Sequence, residues 1–183
     1  MPTPFLISDT HFSHANMLRH LRADGTPIRA FKDVDEMNEH MITKWNSVVG
    51  PNDKVYHLGD VAMSNKGLKC LARLNGKKIL VKGNHDKNTI KEYCKYFKDI
   101  KAYHKLDTVQ LSHKPIHPGS LGKYYNVHGH LHEEFVRLLD GTIDQRYISV
   151  CVEHTNYTPV PLEEILQQVA KRKLAAQQLI FRH

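Results

Sequence analysis

The chain has 183 residues, of which 40% are hydrophobic and 25% are charged, as is usual for globular proteins. This length suits one compact fold, so we expect a single domain over residues 1–183. No apolar run approaches the ~20 residues of a membrane span. The opening MPTPFLISDTHF also lacks the basic region of a signal peptide, so we expect a cytoplasmic protein without a membrane partner.

The charge balance favours an anionic partner only weakly. Lys and Arg number 26 against 19 Asp and Glu, giving a formal net charge of +7, which suits a phosphate ester or a nucleic acid. The 14 histidines are more unusual and direct attention to metal binding or proton transfer. Cys70, Cys94 and Cys151 are widely spaced without a C-x-x-C pair, which is typical of reduced structural thiols.

Short apolar runs alternate with segments of helical periodicity along the chain. The runs predict strands at residues 4–8, 54–58, 78–82, 108–112, 124–128 and 147–152. Apolar residues at helical spacing predict helices at residues 33–51, 66–76, 88–97 and 161–181. Strands alternating with helices early in the chain, followed by clustered strands, indicate a mixed α/β domain.

Polar side chains follow five of these predicted strands. The segments, in chain order, are Asp9-Thr10-His11, Gly59-Asp60, Gly83-Asn84-His85-Asp86, His113 and Gly129-His130-Leu131-His132. Ligands of α/β sheets bind at the carboxyl ends of the strands, so we expect these side chains to converge. On an extended stretch alternate residues point the same way, so the last two histidines can aim at one place.

The residue types indicate transition-metal ions. Carboxylate and imidazole together suit zinc, manganese or iron, whereas magnesium and calcium prefer oxygen ligands. At least seven candidate ligands are present, more than the four of a structural zinc site, which favours two ions. A carboxylate such as Asp60 can bridge two ions, and a pair roughly 3.5–4 Å apart can clamp a phosphoryl group for in-line displacement.

The ordered set of segments resembles the calcineurin-like metallophosphoesterases. All five segments occur in the expected order between Asp9 and His132, and the tail VEHTNYTPVPLEEIL resembles the closing strand and helix of small bacterial and phage members. The resemblance implies an α/β fold in the form of a four-layer α/β/β/α sandwich, with a two-metal site at the strand ends.

The resemblance also implies roles for individual residues. Asp9, His11 and His132 would hold one metal, Asn84, His113 and His130 would hold the other, and Asp60 would bridge them. His85 would act as the general acid on the leaving oxygen or stabilise charge on the phosphoryl group, and Asp86 would orient His85. The cofactor would be two divalent ions with a bridging hydroxide as nucleophile. Manganese is the expected metal, and iron, nickel or zinc are the alternatives.

Substrate contacts are predicted less strongly by the sequence. His14 follows the first segment closely and is a candidate phosphate contact. The Pro/Gly-rich loop 114–125 joins two ligand-bearing strands, so it can overhang the site and offer Lys114, His117 and Lys123 to an anionic substrate. His128 has no role in the family pattern, and we expect it to support the fold or a neighbouring ligand.

Three functions follow from this interpretation. The leading one is hydrolysis of a phosphodiester or phosphomonoester, with a small molecule or nucleotide as substrate. Met63 and Ser64 stand where serine/threonine phosphatases of the superfamily carry an Asp-Arg pair, which disfavours a protein phosphatase. The alternatives are a nuclease or nucleic-acid-end processing enzyme, and a non-catalytic interaction scaffold. The complete ligand set disfavours the scaffold.

Overall fold

The computed structural model describes residues 3–180, and within them it has nine strands and five α-helices. The strands are β1 (Phe5–Ile7), β2 (Lys54–His57), β3 (Lys77–Val81), β4 (Asp99–Lys101), β5 (His104–Leu106), β6 (Val109–Ser112), β7 (Tyr125–His128), β8 (Tyr147–Ser149) and β9 (Val160–Pro161). The helices are α1 (Val34–Val48), α2 (Asn65–Cys70), α3 (Ile90–Tyr93), α4 (Pro118–Leu121) and α5 (Leu162–Ile180). The six predicted strands and four predicted helices are all present. Residue 181 of the last predicted helix lies outside the described residues.

The strands form two sheets in which most neighbours are parallel. The first sheet has the order β4-β3-β2-β1-β9, with only β9 antiparallel to its neighbour. The second has the order β5-β6-β7-β8, with only β5 antiparallel to its neighbour. Parallel neighbours end at the same edge of a sheet, so each sheet presents several carboxyl ends side by side.

An apolar core lies between the two sheets. Leu6 and Val81 contribute to it from the first sheet, and Val109 and Val127 contribute from the second. All four side chains are fully buried. Helix α5 joins the same cluster through Ile165, so the C-terminal helix packs against the core between the sheets. None of the helices within residues 3–180 is both long and apolar enough to span a bilayer.

The other face of the first sheet packs against α1. Ile7 and Leu80 belong to one core cluster with Met37, Met41 and Trp45, which recur every fourth residue along α1. This spacing places the three side chains on one face of the helix, and α1 packs on the sheet through that face. The helices on this face form the first layer of the sandwich.

The outer face of the second sheet is more polar and is covered by the segment 113–124, which includes α4. The Asn126 side-chain oxygen accepts a hydrogen bond from the Ile116 amide at 2.8 Å, and the Tyr147 hydroxyl donates to the Ile116 carbonyl at 2.6 Å. These bonds satisfy polar groups that face away from the apolar core. The fold is therefore the expected mixed α/β sandwich of two sheets with helical segments outside.

The two sheets join at one edge. Just beyond β1 and β8, Ser8 pairs in parallel with Cys151. The Ser8 amide donates to the Val150 carbonyl at 2.9 Å, and the Val152 amide donates to the Ser8 carbonyl at 3.1 Å. This connection lets residues that follow strands of both sheets share one site.

Candidate metal centre

The first candidate ligand group contains Asp9, His11 and His132. One potential ligand atom of each residue lies within 4.8 Å of those of the others. Asp9 and His11 follow β1 and are buried, whereas His132 follows β7 and is half-buried. The rings of the two histidines stack with centroids 5.4 Å apart. We call this set the first group.

The second candidate ligand group contains Asp60, His113 and His130. Their ligand atoms also lie within 4.8 Å of one another. The side-chain oxygen of Asn84 lies 2.9 Å from His113 Nε2, so this amide joins the same set. Asp60 and His113 are buried, whereas Asn84 is exposed. We call these four residues the second group.

Asp60 belongs to the second group and also approaches the first. Its Oδ2 is 3.7 Å from His11 Nε2 of the first group and 3.3 Å from His113 Nε2 of the second. Its other oxygen accepts a hydrogen bond from the His85 amide at 2.8 Å, which fixes the carboxylate plane. One carboxylate within reach of both groups is the arrangement that a bridged pair of ions requires.

The polar atoms of the centre suit a cation. His113 Nδ1 lies 2.8 Å from the Leu58 carbonyl and must donate to it, so whenever the ring is neutral its lone pair is on Nε2. That lone pair faces the oxygens of Asn84 and Asp60. Asp9 Oδ1 and both ring nitrogens of His11 are buried without a hydrogen-bond partner among the described residues. Lone pairs that converge without a donor are costly, and a divalent cation can bind Asp9 Oδ1 and the unprotonated nitrogen of the neutral His11 ring together.

The protonation states of two candidate ligands, His11 and Asp60, favour the same conclusion. Burial lowers the pKa of His11 to about 2, and the nearby charge of Arg29 acts in the same direction. Burial by itself would raise the pKa of Asp60, but the hydrogen bond and charge of His113 outweigh it and lower the pKa to about 2. The imidazole of His11 is therefore neutral and the carboxylate of Asp60 ionised at pH 7, as ligation requires. Burial would lower the pKa of His113, but its hydrogen bond to Asp60 raises it, so a bound cation would have to displace that proton.

Backbone strain concentrates at the predicted ligands. Nine residues other than glycine have a positive φ within residues 3–180, and five of them are Asp9, His11, Asp60, His130 and His132. Such conformations cost of order 1–3 kcal/mol each and cluster at functional sites, where the surrounding structure holds them. The fold thus orients these side chains toward the site by holding their backbone in an unfavourable conformation.

Comparison with known proteins identifies the family. Residues 4–179 match the calcineurin-like phosphoesterase family. The chain belongs to this family. An uncharacterized protein of Methanocaldococcus jannaschii is 36% identical over 176 residues, which cover 93% of each chain. The Gene 66 protein of Mycobacterium phage L5 is 36% identical over 92 residues, which are 47% of this chain and 41% of the phage protein.

A solved structure supports the same fold. The crystal structure of a protein of unknown function from Aquifex aeolicus superimposes with a TM-score of 0.64 at 27% identity, covering 91% of this chain and 99% of that one. The family pattern and the two groups of His and Asp residues together indicate a site for two metal ions.

In the segment Gly129-His130-Leu131-His132, Gly129 lets two parts of the backbone approach closely. A Cβ atom at this position would overlap Ser8 Oγ and Asp9 Oδ2. The loop after β7 therefore lies directly against the end of β1, where the His130 amide donates to Asp9 Oδ2 at 2.9 Å. The glycine brings the two strand ends together, and the positive φ angles belong to the histidines that follow.

His128 has a structural role in this arrangement. Its ring is buried and lies 6.0 Å from the Tyr147 ring, and Nδ1 donates to the Gly129 carbonyl at 2.8 Å. Burial lowers the pKa of His128 to about 4 even though this hydrogen bond raises it. The neutral ring thus fixes the backbone just before the two ligand candidates, and it is absent from both ligand groups.

His85 and Asp86 have different surroundings. His85 lines the cavity in front of the two groups without belonging to either, and its ring is 5.8 Å from that of His11. The described residues show no hydrogen bond by which Asp86 would orient the His85 ring. His85 Nδ1 has no hydrogen-bond partner among the described residues, and Asp86 accepts instead from the amides of Asp60 at 2.9 Å and Gly83 at 2.8 Å.

Asp86 instead organises the backbone around the bridging residue. It also accepts from the Val61 amide at 2.9 Å and the Tyr93 hydroxyl at 3.3 Å, so its two oxygens are occupied by four donors. Burial raises the pKa of Asp86, and these amides act against that rise. The sequence segment correctly places Asp86 near the site, but it acts through the main chain of Asp60.

The predicted substrate contacts separate into two sets. His14 lines the cavity in front of the metal groups, and Lys114 lines a neighbouring cavity that also includes Asn84 and His113. His117 instead accepts from the Gly119 amide at the start of α4. The Lys123 ammonium lies 6.0 Å from the centre of the Tyr124 ring. Neither of these two residues lines the two cavities at the metal groups, and their substrate role stays a prediction.

Two residues whose side chains are buried at the site were missed by the sequence analysis. Glu153 lies 2.9 Å from His132 Nδ1, and Arg29 pairs with Glu153 at 2.7 Å. Glu153 directly follows the sixth predicted strand, 147–152, but the other polar residues at strand ends are Asp, Asn or His, so a glutamate did not fit their pattern. Arg29 lies in an irregular segment, and no sequence pattern marks it.

Proposed function

We propose that the protein is a two-metal phosphoesterase that hydrolyses small phosphodiesters or phosphomonoesters, with nucleotides as the leading substrate class. The position of Asp60, within 4 Å of ligand nitrogens from both groups, is the observation that carries this proposal. Bound divalent ions would supply an activated water nucleophile and neutralise charge on the phosphoryl group. Manganese is the metal we expect, and the mixed shell also suits iron, nickel or zinc.

The protein's own residues supply positioning and proton transfer. Asp60 would hold both ions, with Asp9, His11 and His132 completing one position and Asn84, His113 and His130 the other. His85 lines the same cavity without belonging to either group, which supports its proposed role of giving a proton to the leaving oxygen. The complete ligand set also argues against a non-catalytic scaffold.

The cavity in front of the groups supports a small substrate. It has a volume of about 370 Å³ and includes Met17, Ile28 and His14 beside the ligand residues. This is near the lower end of ordinary ligand pockets, which span roughly 300–1,000 Å³. An apolar wall next to histidines suits a compact organic group, such as a nucleoside, attached to the phosphorus.

The first test is metal-dependent hydrolysis of bis(p-nitrophenyl) phosphate. Activity should require Mn²⁺ or a similar ion, disappear with a chelator and return when the ion is restored. A chain that binds two ions but hydrolyses neither this diester nor p-nitrophenyl phosphate nor a panel of nucleotide esters would refute the proposal.

The second test separates the roles of His85 and His14 by leaving group. A general acid contributes roughly 10²–10⁴-fold when the leaving oxygen needs a proton. The variant His85→Asn should therefore lose far more rate with methyl or nucleoside leaving groups than with p-nitrophenolate, which leaves without a proton. The matched variant His14→Asn should change KM with no such dependence. Equal losses across all leaving groups would exclude His85 as the acid.

A nuclease is the second candidate, favoured by a basic cavity beside the second group. Exposed Lys82 and Lys114 line this cavity of about 350 Å³ together with Asn84 and His113. A strand running from the metal groups over these lysines would bind with strong salt dependence. Affinity for short oligonucleotides that is independent of salt would exclude this candidate.

A further inference from the structure

A buried ion pair lies directly behind one of the candidate metal ligands. The side chains of Arg29 and Glu153 are 0% and 1% exposed. Glu153 Oε1 accepts from Arg29 Nη2 at 2.7 Å and Nε at 2.8 Å, and it also lies 2.9 Å from His132 Nδ1. One carboxylate oxygen thus joins a cation 124 residues away in sequence to a histidine of the first group.

The hydrogen bond to Glu153 decides which nitrogen of His132 can bind a metal. An ionised carboxylate only accepts, so Nδ1 must carry the proton. In the neutral ring Nε2 then carries the free lone pair, so Nε2 is the atom of His132 that can bind a metal ion in the first group. A carboxylate behind a ligating histidine sets the tautomer and ring orientation and raises the basicity of the ligand.

Arg29 reaches a second part of the first group through its remaining donors. Nη1 donates to the Thr10 carbonyl at 2.9 Å, and Nη2 donates to the Asp9 carbonyl at 2.5 Å. Asp9 and the following His11 both have positive φ. Arg29 therefore holds the strained backbone that carries two ligand candidates while it fixes the carboxylate behind the third.

We propose that Glu153 and Arg29 are positioning residues that pre-form the first metal position: Glu153 orients His132, and Arg29 holds Glu153 and the Asp9–Thr10 backbone in place. This inference rests on the proposed function, because it takes the first group as a metal site. A merely structural ion pair would stabilise the fold equally but would leave metal affinity unchanged.

Metal binding by the variant Glu153→Gln tests the inference. Replacing a group that supports a ligand typically costs 10–100-fold in metal affinity. Titration with Mn²⁺ should show one of the two ions bound ~10–100-fold more weakly and the other nearly unchanged. The Co²⁺-substituted variant should have an altered visible spectrum. The variant Glu153→Asp keeps the charge and should recover part of the lost affinity.

A matched control comes from a second ion pair away from the metal groups. The buried Asp144 pairs with Arg146 at 2.6 Å, so Asp144→Asn also breaks an ion pair. It should lower the thermal midpoint of the apoprotein while both metal affinities stay at their wild-type values. The inference is overturned if Glu153→Gln behaves in the same way, with two wild-type affinities and an unchanged Co²⁺ spectrum.

A measurement on the unsubstituted chain keeps the inference testable if Glu153→Gln does not fold. Nitrogen NMR of histidine-labelled, Cd²⁺-loaded protein should show the proton of His132 on Nδ1 and coupling of Nε2 to cadmium. Coupling through Nδ1 would overturn it. If the wild-type chain binds two ions in this way but hydrolyses no phosphoester, the proposed function fails and the positioning role stands.

Discussion

The two candidate ligand groups differ in what lies behind them. The first group is backed by the buried Arg29–Glu153 pair, which contacts His132 and the main chain of Asp9. The second group includes the exposed Asn84 and opens toward a cavity lined by lysines. Asp60 belongs to both environments because its Oδ2 reaches a histidine of each group.

This difference indicates an order of metal binding. A site whose ligands are already oriented loses less conformational freedom when the ion arrives. The buried Arg29 and Glu153 lie behind the first position, whereas the second combines the buried Asp60 and His113 with an amide at the surface. We therefore expect the first ion to bind more tightly and the second to exchange more readily with solvent.

Removing the shared carboxylate should have the largest effect. The variant Asp60→Asn keeps the size of the side chain but removes the charge that both positions use. The affinity for both ions should fall by more than ~100-fold, because even the loss of a residue that only supports a ligand lowers metal affinity roughly 10–100-fold. Metal analysis after dialysis and the hydrolysis rate should fall together. Retention of both ions would show that the two positions do not depend on Asp60.

A variant in either group should weaken the binding of one ion more than that of the other. Asn84→Ala should weaken the binding of one ion and leave the other bound, because Asn84 belongs to the second group, where its oxygen lies 2.9 Å from His113 Nε2. His11→Asn should lower the affinity for the more tightly bound ion. Activity should fall at every metal concentration at which the first position is then empty. Stepwise Mn²⁺ titration of both variants measures this. Identical binding curves would contradict the proposed order.

A smaller effect, on stability, is expected at Gly129, where the loop after β7 packs against the end of β1. Gly129→Ala would place a methyl against Ser8 and Asp9, and such overpacking typically costs about 1–3 kcal/mol of unfolding free energy. Gly119→Ala is a matched control, because its Cβ would meet only the exposed ring of His117, at 3.2 Å. Denaturant unfolding of the apoproteins compares them. Equal stability of the two variants would refute the packing role of Gly129.

The sequence predicts the ends of strands better than the contacts between them. Apolar runs followed by Asp, Asn or His predicted β1, β2, β3, β6 and β7 together with the side chains after each of them. Glu153 follows the apolar run 147–152 in a similar way, but as a glutamate it stands outside the Asp, Asn and His pattern, and its contact with His132 reveals what it does. Much of the candidate site can therefore be predicted from the residue types that directly follow each strand.

The remaining features depend on contacts between distant parts of the chain. The short strands β4, β5 and β9 have two or three residues each and too few apolar positions to stand out. The position of Arg29 depends on a fold that brings it to Glu153. The segment Asn84-His85-Asp86 fits the family pattern, yet the pattern alone assigned Asp86 to the His85 ring rather than to the backbone amides.

Anomalous diffraction from crystals soaked in Mn²⁺ tests the central claim most directly. The account predicts two peaks roughly 3.5–4 Å apart, with Asp60 between them. His132 should bind one ion through Nε2, and Asn84 and His113 should bind the other. A single peak, or two peaks that do not share Asp60, would contradict the account.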